Sequence, residues 1–177
     1  MTFFPRVESW HIPEMAVADS LREMAQDGSQ GNEGIVLWLG RRHDNEATVT
    51  HLVGLRGPGI MRQPDLLIIE PWLLNEVTDV TIELKVALVG QIHSHGDWHG
   101  VNLSITDRRR GIAVPYYLSI VAPSYATDPS TRIEDCGVHV YEPATGYRRL
   151  SAVEIGRRLR VMPGLRVPLI IVGTDSA

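Results

Sequence analysis

Cysteine is nearly missing: Cys136 is the only one in 177 residues. That excludes a disulfide framework within the chain and a zinc site built from several thiolates. The acids before it, Glu134 and Asp135, would raise its thiol pKa rather than lower it, so a cysteine nucleophile is not expected. No stretch approaches the ~18 to 20 apolar residues that a membrane span needs. Residues 1–6 carry no long apolar region and no cleavage signature. With a single thiol suited to a reducing compartment, these absences imply a cytoplasmic protein with no membrane partner. Positive charge is not in excess either. The net charge is −4, which argues against nucleic acid as a partner. Two basic runs, residues 108–110 and the group Arg157, Arg158 and Arg160, read as solvated faces or ion-pair partners. Internal repeats and low-complexity segments are lacking as well.

What is present is an ordinary globular composition, 44% apolar and 21% charged. The length suits one domain over residues 1–177, large enough to bury a core. A first strand is expected over residues 3–10. Pro13 then sits where a helix can begin, since its missing N–H is not needed there. Val17, Leu21, Met24 and Ala25 share one face of that helix, and Gly28 ends it. The apolar run 35–39 predicts a buried strand, residues 40–46 a turn, and residues 47–55 a second strand closing a hairpin. Gly57-Pro58-Gly59 marks a loop. A helix starts at Pro71, with Leu73, Val77, Val80 and Leu84 on one face. Residues 86–92 predict a strand that runs into His93-Ser94-His95. A polar loop follows, then a short helix capped by Ser104, a strand over 116–122, and a hairpin of 137–142 with 147–150. The last strand, 165–172, is pushed to a sheet edge by Pro168. This order predicts an α+β fold, an α/β sandwich with a mixed β-sheet flanked by helices.

The informative residues follow the strand over 86–92. Histidines at i and i+2 on a strand point to the same side, so His93 and His95 can converge on one ion. Asp107 lies beyond a loop of eleven residues, long enough to fold back. Two imidazoles and a carboxylate are good zinc ligands, and they leave a fourth position open, as a catalytic zinc requires. Ser104-Ile105-Thr106-Asp107 also reads as a helix capping pattern, a role compatible with ligation. His99 in the loop is a rival ligand without the strand geometry. His11, His43, His51 and His139 read as surface or core residues.

His93-Ser94-His95 followed by Ser104-x-x-Asp107 resembles the JAMM signature of the MPN+ metalloproteases. Glu33, ahead of the apolar run that ends at Gly40, resembles the glutamate that this family carries on an earlier strand. The resemblance spans roughly residues 13–122. Gly96 stands where the family usually has proline, and the loop to Asp107 is one residue longer than usual. The resemblance implies an MPN/cytidine-deaminase-like fold with Zn2+ on His93, His95 and Asp107. Glu33 would be the general base and Ser104 the hydrogen-bond donor to the developing oxyanion. It further implies cleavage at the C-terminus of a ubiquitin-like protein, by deconjugation or precursor processing. Some compact members act beside ubiquitin-activating (E1-like) and ubiquitin-conjugating (E2-like) partners in antiviral operons. Two other readings are a peptidase that removes a C-terminal residue from a sulfur carrier, and an inactive MPN scaffold.

Overall fold

In the computed structural model, which describes residues 5–173, the aliphatic runs become strands of one large mixed sheet. The chain runs β1 (Ser9–Pro13), α1 (Glu14–Gly28), β2 (Ile35–His43), β3 (Glu46–Leu55), β4 (Ile60–Gln63), β5 (Leu66–Ile69), α2 (Pro71–Leu84) and β6 (Ala87–Ser94). It continues with α3 (Ile105–Arg110), β7 (Leu118–Ala122), β8 (Gly137–Glu142), β9 (Gly146–Arg149), α4 (Ala152–Arg158), β10 (Leu159–Met162) and β11 (Leu169–Val172). The strand order across the sheet is β10-β1-β3-β2-β6-β7-β8-β9. β1 and β11 share the outer edge of β3, the first pairing with Glu46, Ala47 and Thr48 and the second with Leu52 to Leu55. β4 and β5 form a separate small hairpin. Among the described residues, no helix is long and apolar enough to cross a membrane.

Strand alternation sends successive side chains to opposite faces, and a helix covers each face. Val36, Trp38 and Ile92 pack with Val17, Leu21 and Met24 of α1. The indole N–H of Trp38 donates to Ser20 Oγ at 3.0 Å, so this buried aromatic is hydrogen-bonded to the helix above it. Ile35, Leu37 and Leu39 pack on the other side with Leu73 and Val77 of α2. Each of these side chains contributes roughly 1.5–3 kcal/mol by leaving water. The α/β sandwich expected from the sequence is therefore the observed architecture.

Some boundaries differ. The first strand starts at Ser9, not near residue 3; residues 3 and 4 lie outside the described residues, and residues 5–8 are irregular. Arg158 accounts for the irregular segment: it is buried, donates to the carbonyls of Val7 and Glu8 at 3.0 Å each, and stacks 4.9 Å above Trp10. One member of the basic group expected at the surface is thus a core residue. The expected turn over 40–46 shrinks to Asp44-Asn45, because β2 continues through His43. Arg41 and His43 project into solvent, Arg42 turns inward and donates to the Pro115 carbonyl at 2.9 Å, and Asp44 takes up the left-handed conformation (φ 51°) that aspartate tolerates. The β4–β5 hairpin, α4 and β10 were not anticipated. Strands of four residues are too short to present a period.

Candidate metal centre

The register of β2 against β6 builds the site. Ile35 pairs with His93 in an antiparallel ladder, so the line continues through Gly34 and Ser94 to Glu33 opposite His95. Two bonds fix that continuation: Ser94 N–H donates to the Gly34 carbonyl at 2.9 Å, and Gly34 N–H donates to Ser94 Oγ at 2.9 Å. His95 lies just past the end of β6, and its backbone is held from the far side. Its N–H donates to the Ala122 carbonyl at 2.9 Å, and its own carbonyl accepts from Tyr125 N–H at 2.8 Å. The chain makes this second contact through three consecutive left-handed residues, Ser124, Tyr125 and Ala126, with φ of 51°, 53° and 58°. A Cβ at residue 96 would overlap the Tyr125 phenol, whose hydroxyl donates to the Pro64 carbonyl at 3.0 Å. That packing explains why glycine follows His95 here.

Asp107 reaches the two histidines from the first turn of α3. Ser104 caps this helix: its Oγ accepts from Asp107 N–H at 3.0 Å, and its own N–H donates to Asp107 Oδ2 at 2.7 Å. The same Oδ2 lies 3.2 Å from His95 Nε2 and 3.7 Å from His93 Nε2, while the two Nε2 atoms are 3.2 Å apart. Metal bonds of about 2.0–2.1 Å in a tetrahedron place ligand atoms about 3.4 Å from one another. The three measured edges bracket that value, so the donor set fits a tetrahedral ion with one position left over. Both histidines are buried, Asp107 is half-buried, and Ser104 is exposed. The capping role expected as an alternative for Ser104 and Asp107 is present, and it coexists with the cluster.

Each imidazole is also held by its other nitrogen. His95 Nδ1 sits 3.1 Å from the Gly100 carbonyl, which accepts its proton and leaves Nε2 as a lone pair facing the cluster. Gly100 belongs to the loop between His95 and Asp107. His93 Nδ1 lies 3.3 Å from the amide of Gln91, which is held in turn by Ser119 Oγ at 3.3 Å and by the Tyr117 hydroxyl at 3.1 Å. Gln91, Tyr117, Ser119 and Gly100 were missed in the sequence. For Gln91 a signal existed: it stands two residues before His93 and so shares its sheet face. His99 is exposed, with its ring centroid 6.2 Å from that of His95, and it does not join the three clustered donors.

The electrostatics follow from burial and proximity. Burial pushes the Glu33 carboxyl up to about 7; the charge of His95 pulls it back, while Asp107 and Asp65 add to the rise. Burial also opposes charge on His95, but its hydrogen bond to Asp107 and the charges of Glu33 and Asp107 outweigh that and move its pKa upward. Asp107 resists protonation. Burial favours its neutral form, yet hydrogen bonds from His93 and His95, the His93 charge and the Ser104 N–H hold its pKa well below the usual carboxylate range. Cys136 is buried away from this site, and burial, with Asp135 and Glu134 beside it, pushes its thiol up to about 12.

No family model matches the chain, and no curated protein does. Among solved structures, the chain is similar to the solution structure of protein DSY2949 from Desulfitobacterium hafniense. The match covers 89% of this chain and 94% of that one, with a TM-score of 0.59 and 16% identity, a likeness of fold alone.

Proposed function

We propose that the chain is a zinc hydrolase of the JAMM (MPN+) type, an MPN/cytidine-deaminase-like domain that cuts a peptide or isopeptide bond at the C-terminus of a ubiquitin-like protein. The observation that carries this reading is the set of edges between His93 Nε2, His95 Nε2 and Asp107 Oδ2, 3.2, 3.2 and 3.7 Å, with the Glu33 carboxyl close enough to His95 and Asp107 to feel their charges. His93, His95 and Asp107 would hold Zn2+, which supplies Lewis acidity and a water acidified toward neutral pH. Glu33 takes the proton of the attacking water and delivers it to the leaving amine. Its raised pKa suits both halves of that transfer. Ser104 uses its lone pair on the Asp107 N–H, so its hydroxyl proton remains available to the oxyanion. The burial of the Glu33 carboxyl beside this cluster favours an enzyme over a scaffold. Ubiquitin-like substrates, cytoplasmic location and E1-like or E2-like partners are part of this proposal. Incubating the zinc-loaded protein with ubiquitin-like fusions, those of its genomic neighbours included, tests it. Cleavage lost in Glu33→Gln is expected, and intact fusions throughout would overturn the reading.

A further inference from the structure

Beside the cluster lies a cavity of about 150 Å³ that shares His93 and Asp107 as part of its wall. Its sides come from the β4–β5 hairpin, α2 and the segment after α3, through Leu67, Ile69, Leu74 and Ile112. All four are half-buried, so each has apolar surface left to cover. Gln91 and Ser119, both buried, form the floor on the sheet. The floor is polar but already occupied with itself, because the Gln91 amide is hydrogen-bonded to both Ser119 Oγ and the Tyr117 hydroxyl. It therefore asks for no polar group from a ligand. Besides Asp107, the one charged residue on the lining is Arg110, which is exposed on the last turn of α3.

We infer that this cavity is a side-chain subsite, so that the substrate carries an apolar residue of leucine to phenylalanine size next to the bond presented at His93, His95 and Asp107. The size argument is direct, since an apolar cavity of about 150 Å³ is enough to take up benzene. The position argument is that His93 and Asp107 belong both to the cavity wall and to the cluster, which puts the occupant beside the reacting carbonyl. A diglycine tail would leave the cavity empty and gain nothing from it. The inference rests on the function proposed above and narrows its substrates to tails or peptides with an apolar residue at that position.

The test compares N-acetylglycine, N-acetylleucine and N-acetylphenylalanine hydroxamates, titrated calorimetrically into the zinc-loaded protein. Leucine and phenylalanine probes are expected to bind about tenfold to a hundredfold more tightly than the glycine probe, the ratio that burial of one such side chain gives. Filling the cavity by Ile69→Trp should bring that ratio close to one. Equal affinities of the three probes for the wild type, with zinc bound, overturn the subsite and leave the metal reading intact. Failure to bind zinc overturns the proposed function instead. In that event benzene added to the metal-free protein still decides the cavity, through the methyl resonances of Ile69, Leu74 and Ile112: shifts support an apolar subsite, and their absence overturns it.

Discussion

His93 Nε2 and His95 Nε2 face each other at 3.2 Å inside the protein, with Asp107 Oδ2 closing the triangle. Two imidazole lone pairs at that distance repel unless a proton or a cation lies between them. Wild-type protein is expected to carry about one zinc per chain by elemental analysis, and His95→Ala to carry none. Stripping the metal with a chelator should lower Tm, because zinc stabilises only the folded state that assembles its ligands. An unchanged Tm and no measurable zinc affinity would sink the assignment.

Under the proposed function, Glu33→Gln removes the base but leaves the three ligands. Zinc content should stay at wild-type level while kcat falls by roughly 10²–10⁴. The reaction needs Glu33 ionised, so wild-type activity falls as pH drops through its pKa. Burial sets an upper position of about 7 for that limb against the ordinary 4.5, and a bound cation moves it down from there. A pH profile of kcat/KM checks this; an acid limb that persists in the variant would assign it to another group.

Gln91 orients His93 and touches nothing that reacts. Ligation by Nε2 leaves the His93 proton on Nδ1, which the Gln91 carbonyl accepts after a half-turn of the amide. Gln91→Leu is expected to weaken zinc about 10-fold to 100-fold in a competition titration, with Gln91→Glu restoring most of it. Equal affinity in the leucine variant would show that Gln91 serves only the cavity floor.

Ser124 holds a left-handed conformation without glycine, with φ 51°. Such a residue is strained by about 1–2 kcal/mol. Its backbone carbonyl makes the turn's bonds to Thr127 at 3.0 and 2.8 Å, and no side-chain bond of Ser124 would be lost. Ser124→Gly should therefore raise stability by about 1 kcal/mol, read as an increase in Tm. A decrease would mean that the strain is relieved by contacts of the serine itself.

His139 is fully buried, and burial is the main cause that pushes its pKa down from 6.5 to about 4. Between those values the unfolded chain binds a proton that the folded one refuses. The stability tied to His139 is thus complete above pH 6.5 and is lost as pH falls toward 4. Tm measured across that window should fall less steeply in His139→Leu than in the wild type, and identical slopes would exclude His139 as the source.

The clustering of His93, His95 and Asp107 was legible because it follows from short-range geometry: two histidines at a strand end, and an aspartate that a capping serine must aim. Helices α1 and α2 were legible from their apolar faces. Arg158 was not, since its burial depends on carbonyls of Val7 and Glu8 that are remote in sequence. Tyr117 escaped for the same reason, since its partner Gln91 lies 26 residues earlier. The β4–β5 hairpin escaped because four-residue strands carry no period, although its Pro64-Asp65 turn now flanks Glu33, whose N–H donates to the Gln63 carbonyl at 3.0 Å.

The place of β1 in the sheet has a kinetic consequence. Its outer neighbour is β10, with Trp10 aligned to Leu159 and His11 to Arg160. That pairing closes a loop of nearly the whole chain, and such long closures come late in folding. During synthesis the hairpin of β2 and β3 and the ladder out to β9 can assemble on the ribosome, while β1 has one edge bare and Trp10 lacks its covering arginine. Until the segment 158–162 emerges, the nascent chain presents an open strand edge, the feature that chaperones shield and that aggregation exploits.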